Sequence, residues 1–343
     1  MRSIIALSVL TAAMLPVLQA SAQPHTECAA TVQVFPGTTL ARLADVHFGD
    51  VDYRYAILLA TNGRAGQGFQ FISNPNDLSK IDRLCIPNFA EAEVEKNRFL
   101  TYVEAVQDMA LPYPSEVSTN LDPIDASKPA TVVSWVRTDQ ADGWRDLVNK
   151  TQAIGNQSWV TLDPHLQDFC QTHIEQRGPD LRALTLRLEQ RLGLAPRSAK
   201  THFVTFEVAN PGDTRQIFRP CVDTAVDTTT CAFKALPNCN KLTVPVAGGT
   251  TPRPATAEEK TACETNYAFI TSQYYTSYGV TLPTEFPWTS LGYTFDWAHK
   301  AIGLTDRPEF EQFGESEYVL PATAMVTVKS VIPTAEYCAP VPK

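Results

Sequence analysis

Between Thr31 and Asn88 the apolar spacing changes repeatedly, and few folds accommodate that in so short a span. Thr31 to Val34 alternates like a strand. Pro36-Gly37 turns the chain, and Thr38 or Thr39 offers a hydroxyl to cap an unpaired helix N–H. Leu40, Leu43, Ala44 and His47 then fall on one helical face until Gly49-Asp50 breaks the run. Tyr55, Ala56, Leu59 and Ala60 mark a second helix, for which Asn62-Gly63 predicts a left-handed stop. Beyond the polar Asn74-Pro75-Asn76-Asp77, Arg83 to Ile86 reads as a second strand ended by Pro87. The order is strand, helix, helix, strand.

The residues in that order resemble the LysM family. Pro36-Gly37-Thr38-Thr39-Leu40, Phe48-Gly49-Asp50, Asn62, Asn74-Pro75-Asn76 and Leu84-Cys85-Ile86-Pro87 carry the likeness. The chain departs from the family where Thr38 replaces an Asp and Lys80-Ile81-Asp82 replaces Pro-Gly-Gln. The resemblance implies a βααβ module that binds N-acetylglucosamine-containing glycan, either peptidoglycan or a chitin-like polymer. It places the groove on Gly37, Thr38, Thr39 and Leu40, and on Ile72, Asn74, Asn76, Asp77 and Leu78.

Residues 1–22 read as an export leader. Arg2 supplies the positive start, Ile4 to Leu18 the apolar core, and Ala20-Ser21-Ala22 the cleavage site. The apolar run is too short to span a membrane. The expected location is therefore the periplasm or the extracellular space. The formal net charge is −9 and no basic stripe occurs, which argues against nucleic acid as a partner and against simple attraction to an anionic surface.

All eight cysteines follow the leader, and an even number in an exported chain reads as disulfides. Cys28 precedes the first strand and Cys85 lies on the second, so an antiparallel pair would bring them together. A Cys28–Cys85 bridge is expected to close the module. Cys170, Cys221, Cys231, Cys239, Cys263 and Cys338 leave fifteen pairings open.

Ala90 to Ala110 reads as a connector helix with Val94, Phe99 or Leu100, Val103 and Met109 on its apolar stripe, packed on one domain. Leu111 to Pro129 is proline-rich and reads as a linker or an irregular loop. Beyond it, strands are expected at Ala130–Val136, Ser158–Leu162, His202–Val208, Leu291–Trp297, Tyr318–Leu320 and Met325–Val331. Helices are expected at Trp144–Val148, Pro164–Glu175, Pro179–Leu192 and Ala255–Tyr278. Cys221 to Thr250 is turn-rich and reads as a stapled excursion. The fold class is α+β: a leader (1–22), a small module (28–90), a connector helix and linker (91–129), and a larger disulfide-stapled α+β domain (130–343).

Chemistry is sparsely signalled. The six histidines form no HExxH and no His-x-His, no Ser-x-Gly-Cys segment occurs, and no G-x-S-x-G elbow occurs. No cofactor motif is found. Cys170 with His173 is the nearest thiol–imidazole pair, against which the even cysteine count argues. Asp163, His165, Asp168 and His173 could ligate a metal, or could be a helix start capped by Asp163 with solvated histidines. Asp296, Glu315 and Glu317 sit among aromatic residues and are the candidates for glycosidic chemistry. The functional expectation is an exported envelope protein that binds glycan noncovalently through its module. The alternatives are an interaction protein whose module no longer binds glycan, and a wall-polymer hydrolase acting through the larger domain. The oligomeric state is not legible.

Overall fold

The computed structural model describes residues 27–110, 113–221, 225–231, 238–244, 251–278, 286–300 and 310–340. The leader at 1–22 lies outside them, as do parts of the 111–129 and 221–250 stretches. The first unit runs strand β1 (Ala30–Gln33), helix α1 (Leu40–Phe48), a 3-10 turn (Val51–Tyr53), helix α2 (Arg54–Asn62) and strand β2 (Arg83–Ile86). The Thr39 hydroxyl caps α1 by accepting from Arg42 N, and Gly49 ends the helix at φ 73. Thr38 instead accepts from Phe35 N within the preceding turn.

The end of α2 differs from expectation. Gly63 is right-handed (φ −62), so no left-handed stop forms. The Asn62 side chain reaches across the module, donating to Ile72 O at 3.1 Å and accepting from Ile72 N at 2.8 Å. Asn62 is buried. Its amide must be satisfied there, and this two-way contact with a distant loop does so. β1 and β2 pair antiparallel, with Thr31 opposite Cys85 and Gln33 opposite Arg83. Cys28–Cys85 closes the ladder at its other end, as expected.

Helix α3 (Phe89–Met109) packs on two cores rather than one. Ala92 and Phe99 belong to the module's core, whereas Tyr102, Ala105, Val106 and Met109 pack with Phe295, Trp297 and Phe310. The expected stripe is displaced. Val94 and Leu100 are exposed, and Ala92, Glu95, Phe99, Tyr102, Val106 and Met109 hold the buried face at helical spacing. A charged residue, Glu95, therefore sits in the apolar stripe, and one of its two arginine partners comes from far along the chain. The stretch read as a linker also enters the core, through Leu121 and Ile124.

The remaining chain builds β3 (Ala130–Arg137), α4 (Thr138–Arg145), β4 (Thr151–Ala153), β5 (Ser158–Leu162), α5 (His165–Arg177), α6 (Leu181–Arg191) and β6 (Lys200–Val208). A two-stranded ribbon follows, β7 (Thr243–Val244) with β8 (Arg253–Pro254). Then come α7 (Ala257–Tyr278), β9 (Tyr293–His299), β10 (Phe310–Leu320), β11 (Met325–Pro333) and α8 (Thr334–Tyr337). Seven strands form one antiparallel sheet in the order β4-β11-β6-β3-β5-β10-β9. One sheet face, with Val133, Trp135 and Phe203, packs with residues of α5, α6 and α8. The other face, with Val132, Phe206 and Val326, packs with irregular segments through Ile124, Ile217 and Val226. The helix expected at Trp144–Val148 starts earlier, as α4, because Gln140 accepts from Arg137 N at the helix start. Cys170 bonds Cys338, Cys221 bonds Cys231 and Cys239 bonds Cys263. The fold is α+β with four disulfides, and no helix among the described residues is long and apolar enough to cross a membrane.

Candidate functional site

The antiparallel ladder decides where the two expected binding loops go. Gln33 opposite Arg83 is its last pair, and Val34 N donates to Asp82 O at 2.8 Å. Residues 35–39 and 72–82 therefore leave the same end of the ladder, away from the Cys28–Cys85 bridge. Gly37 turns the first loop at φ 88, a conformation that favours glycine. In the second loop Asn74 Oδ1 accepts from Asn76 N and Asp77 Oδ1 accepts from Ser79 N, both at 3.0 Å. The Ser79 hydroxyl and amide hold the Asp77 carboxyl below the usual aspartate range.

Of the nine residues expected at this rim, Gly37, Thr39, Asn74, Asn76 and Asp77 are exposed, and Thr38 is half-buried. Leu40, Ile72 and Leu78 are core residues. They shape the rim from beneath and present no side chain to a ligand. The rim itself offers hydroxyl, amide and backbone groups and the Asp77 carboxylate, and no aromatic side chain from among the nine. The residue that holds the second loop is Asn62, which sequence reading treated as a helix stop.

The other sequence candidates are distributed differently. Cys170 is in a disulfide and cannot act as a nucleophile. Asp163 does not cap α5. Its Oδ1 accepts the Tyr337 hydroxyl at 2.5 Å, and α5 has no side-chain cap. His165 faces Asp122, with Nδ1 3.2 Å from Oδ2. Burial, then the nearby Arg187 and Arg177, hold the His173 imidazole below its ordinary pKa. No group of three or more His, Cys, Asp or Glu among the described residues is placed to hold a metal ion.

The three carboxylates near aromatic residues separate cleanly. Arg187 donates to both oxygens of Asp296 at 2.9 and 2.7 Å, a bidentate charge-assisted pair. Arg191 Nε donates to Glu315 Oε1 at 2.7 Å. Both carboxylates are committed to α6. Glu317 differs: its Oε2 is buried with no hydrogen-bond partner among the described residues. An unmet buried polar atom costs about 1–3 kcal/mol, so it calls for an explanation. Burial pushes the Glu317 carboxyl up to about 8, against the pull of Arg219.

No family model, curated protein or solved structure matches the chain. The functional reading therefore rests on the residues themselves.

Sequence reading named Glu317 together with Asp296 and Glu315 but had no means of separating them. The arginines that occupy the other two lie 109 and 124 residues away. One local signal was present: alternation in Ser158–Leu162 puts Trp159 and Thr161 on one face. Register then sets Thr161 opposite Glu317.

Proposed function

We propose that this is an exported envelope protein that holds N-acetylglucosamine-containing glycan, either peptidoglycan or a chitin-like polymer, noncovalently on the rim of its first unit. The supporting observation is the convergence of residues 37–39 and 74–77 at one end of the β1–β2 ladder, with the disulfide at the other end. The rim suits a hydroxyl-rich polymer because its exposed groups are hydroxyls, amides, backbone and the Asp77 carboxylate, which accepts hydrogen bonds. The net charge of −9 gives no general attraction to an anionic wall. Recognition would rest on short-range hydrogen bonds. Four disulfides fit an oxidising compartment.

The test is sedimentation of the oxidised protein with insoluble peptidoglycan and with chitin. Thr39→Arg together with Asn76→Arg is expected to abolish co-sedimentation with the polymer that binds. Unchanged sedimentation in that double variant would show that the rim is not the contact surface.

A second reading, in which the unit serves only as an interaction or structural module, is favoured by one observation. Thr38, Thr39, Asn74 and Asp77 all direct side-chain oxygens at local backbone N–H groups. A natively folded protein that sediments with neither polymer would favour this reading.

A further inference from the structure

The seven-stranded sheet parts between β3 and β5. β3 pairs with β6 along its whole length, from Ala130 to Arg137, but with β5 only at Val132–Leu162 and Val133–Thr161. Beyond Val133 the two strands diverge, and a cleft of about 510 Å³ opens there. Adjacent residues of each strand line it, Ser134 and Trp135 on one side and Ser158 and Trp159 on the other. Successive residues point to opposite sheet faces, so both can border one cleft only where it lies between strands.

The walls come from both units. Phe71, on the loop before β2, and Tyr102, on α3, border the cleft. So does the loop after α6, which is held at two points. Ser198 donates to Glu189 Oε1 from N at 2.8 Å and from Oγ at 3.0 Å, and Arg197 donates to Glu95. Arg197 and Ala199 adopt left-handed backbone at φ 60 and 55. Non-glycine residues keep such conformations only where their surroundings impose them, as these contacts do.

The floor carries an ordered row across three strands: Val133, Thr161 and Glu317. Thr161 Oγ1 and Glu317 Oε2 are both buried without a hydrogen-bond partner among the described residues. Trp159 lies beside them, with the Phe286 ring at 6.5 Å. Among the described residues, Glu317 is the only carboxylate on the lining. A carboxyl that burial holds protonated near neutrality both donates and accepts. An aromatic face beside such paired donors and acceptors matches a sugar ring, which has an apolar C–H face and a rim of hydroxyls. The volume is that of an ordinary small-molecule site.

We propose that this cleft is a saccharide-binding site, separate from the rim of the module, in which Trp159 stacks on a sugar ring and Thr161 and Glu317 take its hydroxyl groups. It rests on the preceding reading only in the choice of N-acetylglucosamine as one probe.

The test is titration of the oxidised protein with the tetrasaccharides of N-acetylglucosamine and of glucose, followed by calorimetry and tryptophan fluorescence. At least one sugar is expected to bind saturably with Kd below about 1 mM. Trp159→Ala and Thr161→Val are each expected to weaken it roughly tenfold. Glu317→Gln, which keeps a donor and an acceptor, should hold binding within about threefold, and Glu317→Ala should not. Thr39→Arg with Asn76→Arg should leave small-sugar binding intact while polymer sedimentation is lost, which separates the two sites. Absence of saturable binding of both sugars to folded protein overturns the proposal, as does binding that Trp159→Ala and Thr161→Val leave unchanged. If those variants do not fold, a diazirine-bearing tetrasaccharide on the unaltered protein decides. Cross-links within 157–161 or 315–319 support the site, and cross-links confined elsewhere overturn it.

Discussion

Glu95 on α3 and Arg197 in the loop after α6 form a buried ion pair at 2.5 Å. Glu95 also meets Arg98 one turn along its own helix. Burial raises the Glu95 pKa, but the Arg197 and Arg98 guanidinium groups outweigh it and hold the carboxyl below the usual glutamate range. The pair joins the helix that continues from the module to the loop that walls the cleft. Glu95→Gln leaves Arg197 buried without its counter-charge and is expected to cost about 3 kcal/mol. Arg197→Gln added to it should recover part of that loss, because the two changes act on one interaction. Urea denaturation of the two single variants and the double variant checks this. A Glu95→Gln protein within about 0.5 kcal/mol of the parent would rule out the pair as a fastening.

Arg219 is a second buried anchor, of a different kind. Its guanidinium donates to the carbonyls of Gly292, Asp122 and Thr228 and to the Tyr318 hydroxyl. Four separate stretches of chain thus share one side chain. Arg219→Met removes all of these donors at once; Asp122 O keeps the Tyr318 hydroxyl and Gly292 O keeps Glu317 N, but the shared anchor is lost, at a cost on the order of 3 kcal/mol. Arg219→Lys cannot reproduce the planar fork and should also destabilise. The expected signature is faster amide exchange in 226–231 and 289–293. Unchanged protection there in a folded variant would contradict the assignment.

The Cys28–Cys85 bridge closes 57 residues around a small core. In the loop-entropy picture a closure of that length stabilises by about 4 kcal/mol. Replacing both cysteines by serine is therefore expected to unfold the module well before the larger domain. Limited proteolysis should then cut between residues 30 and 88 first. Cleavage elsewhere at comparable rates would show that the bridge is not what limits the module's stability.

Stability should vary with pH in a way that one substitution isolates. Burial pushes Glu317 up from 4.5 to about 8. A group with a raised folded pKa contributes stability below its unfolded value and loses it as pH climbs through the folded value. Its contribution thus declines between pH 4.5 and about 8. Burial, then the neighbouring Arg137, draw Lys200 down from 10.5 to about 8, which has the opposite sign. That contribution is present above pH 10.5 and is lost as pH falls through about 8. Glu189, Glu116 and Asp108 are shifted up by burial as well, so the comparison with the unaltered protein matters. Glu317→Gln is expected to flatten part of the decline between pH 4.5 and 8, read from urea midpoints. An identical profile in parent and variant would mean that Glu317 does not titrate as described.

Asn62 links local sequence to the proposed rim. Asn62→Ala removes both contacts to Ile72 and leaves its buried backbone groups unmet. A loss of about 1–3 kcal/mol follows. The loop at 72–82 should also exchange faster, and polymer sedimentation should weaken without any change at the exposed rim residues. Retained sedimentation with a disordered loop would detach the rim from the proposed contact.

Much of the first unit was legible in the sequence, because its determinants are local. Thr39 caps the helix that follows it, Gly49 ends that helix, and Cys28 just before one strand and Cys85 within the other meet when those strands pair. Periodicity and turn residues act over a few positions, so they can be read in order along the chain. The larger domain yielded most of its elements the same way, but not their arrangement. Strand order, the three remaining disulfides and the helix shared between two cores depend on which distant segments meet. Cys170 finds Cys338 across 168 residues, and Glu95 finds Arg197 across 102. The fate of a buried charge is decided the same way. Asp296, Glu315 and Glu317 are equivalent in sequence, and α6 carries an arginine to two of them and none to the third. What remains is a carboxyl whose protonation is set by burial, a property of the folded surroundings that no residue pattern contains.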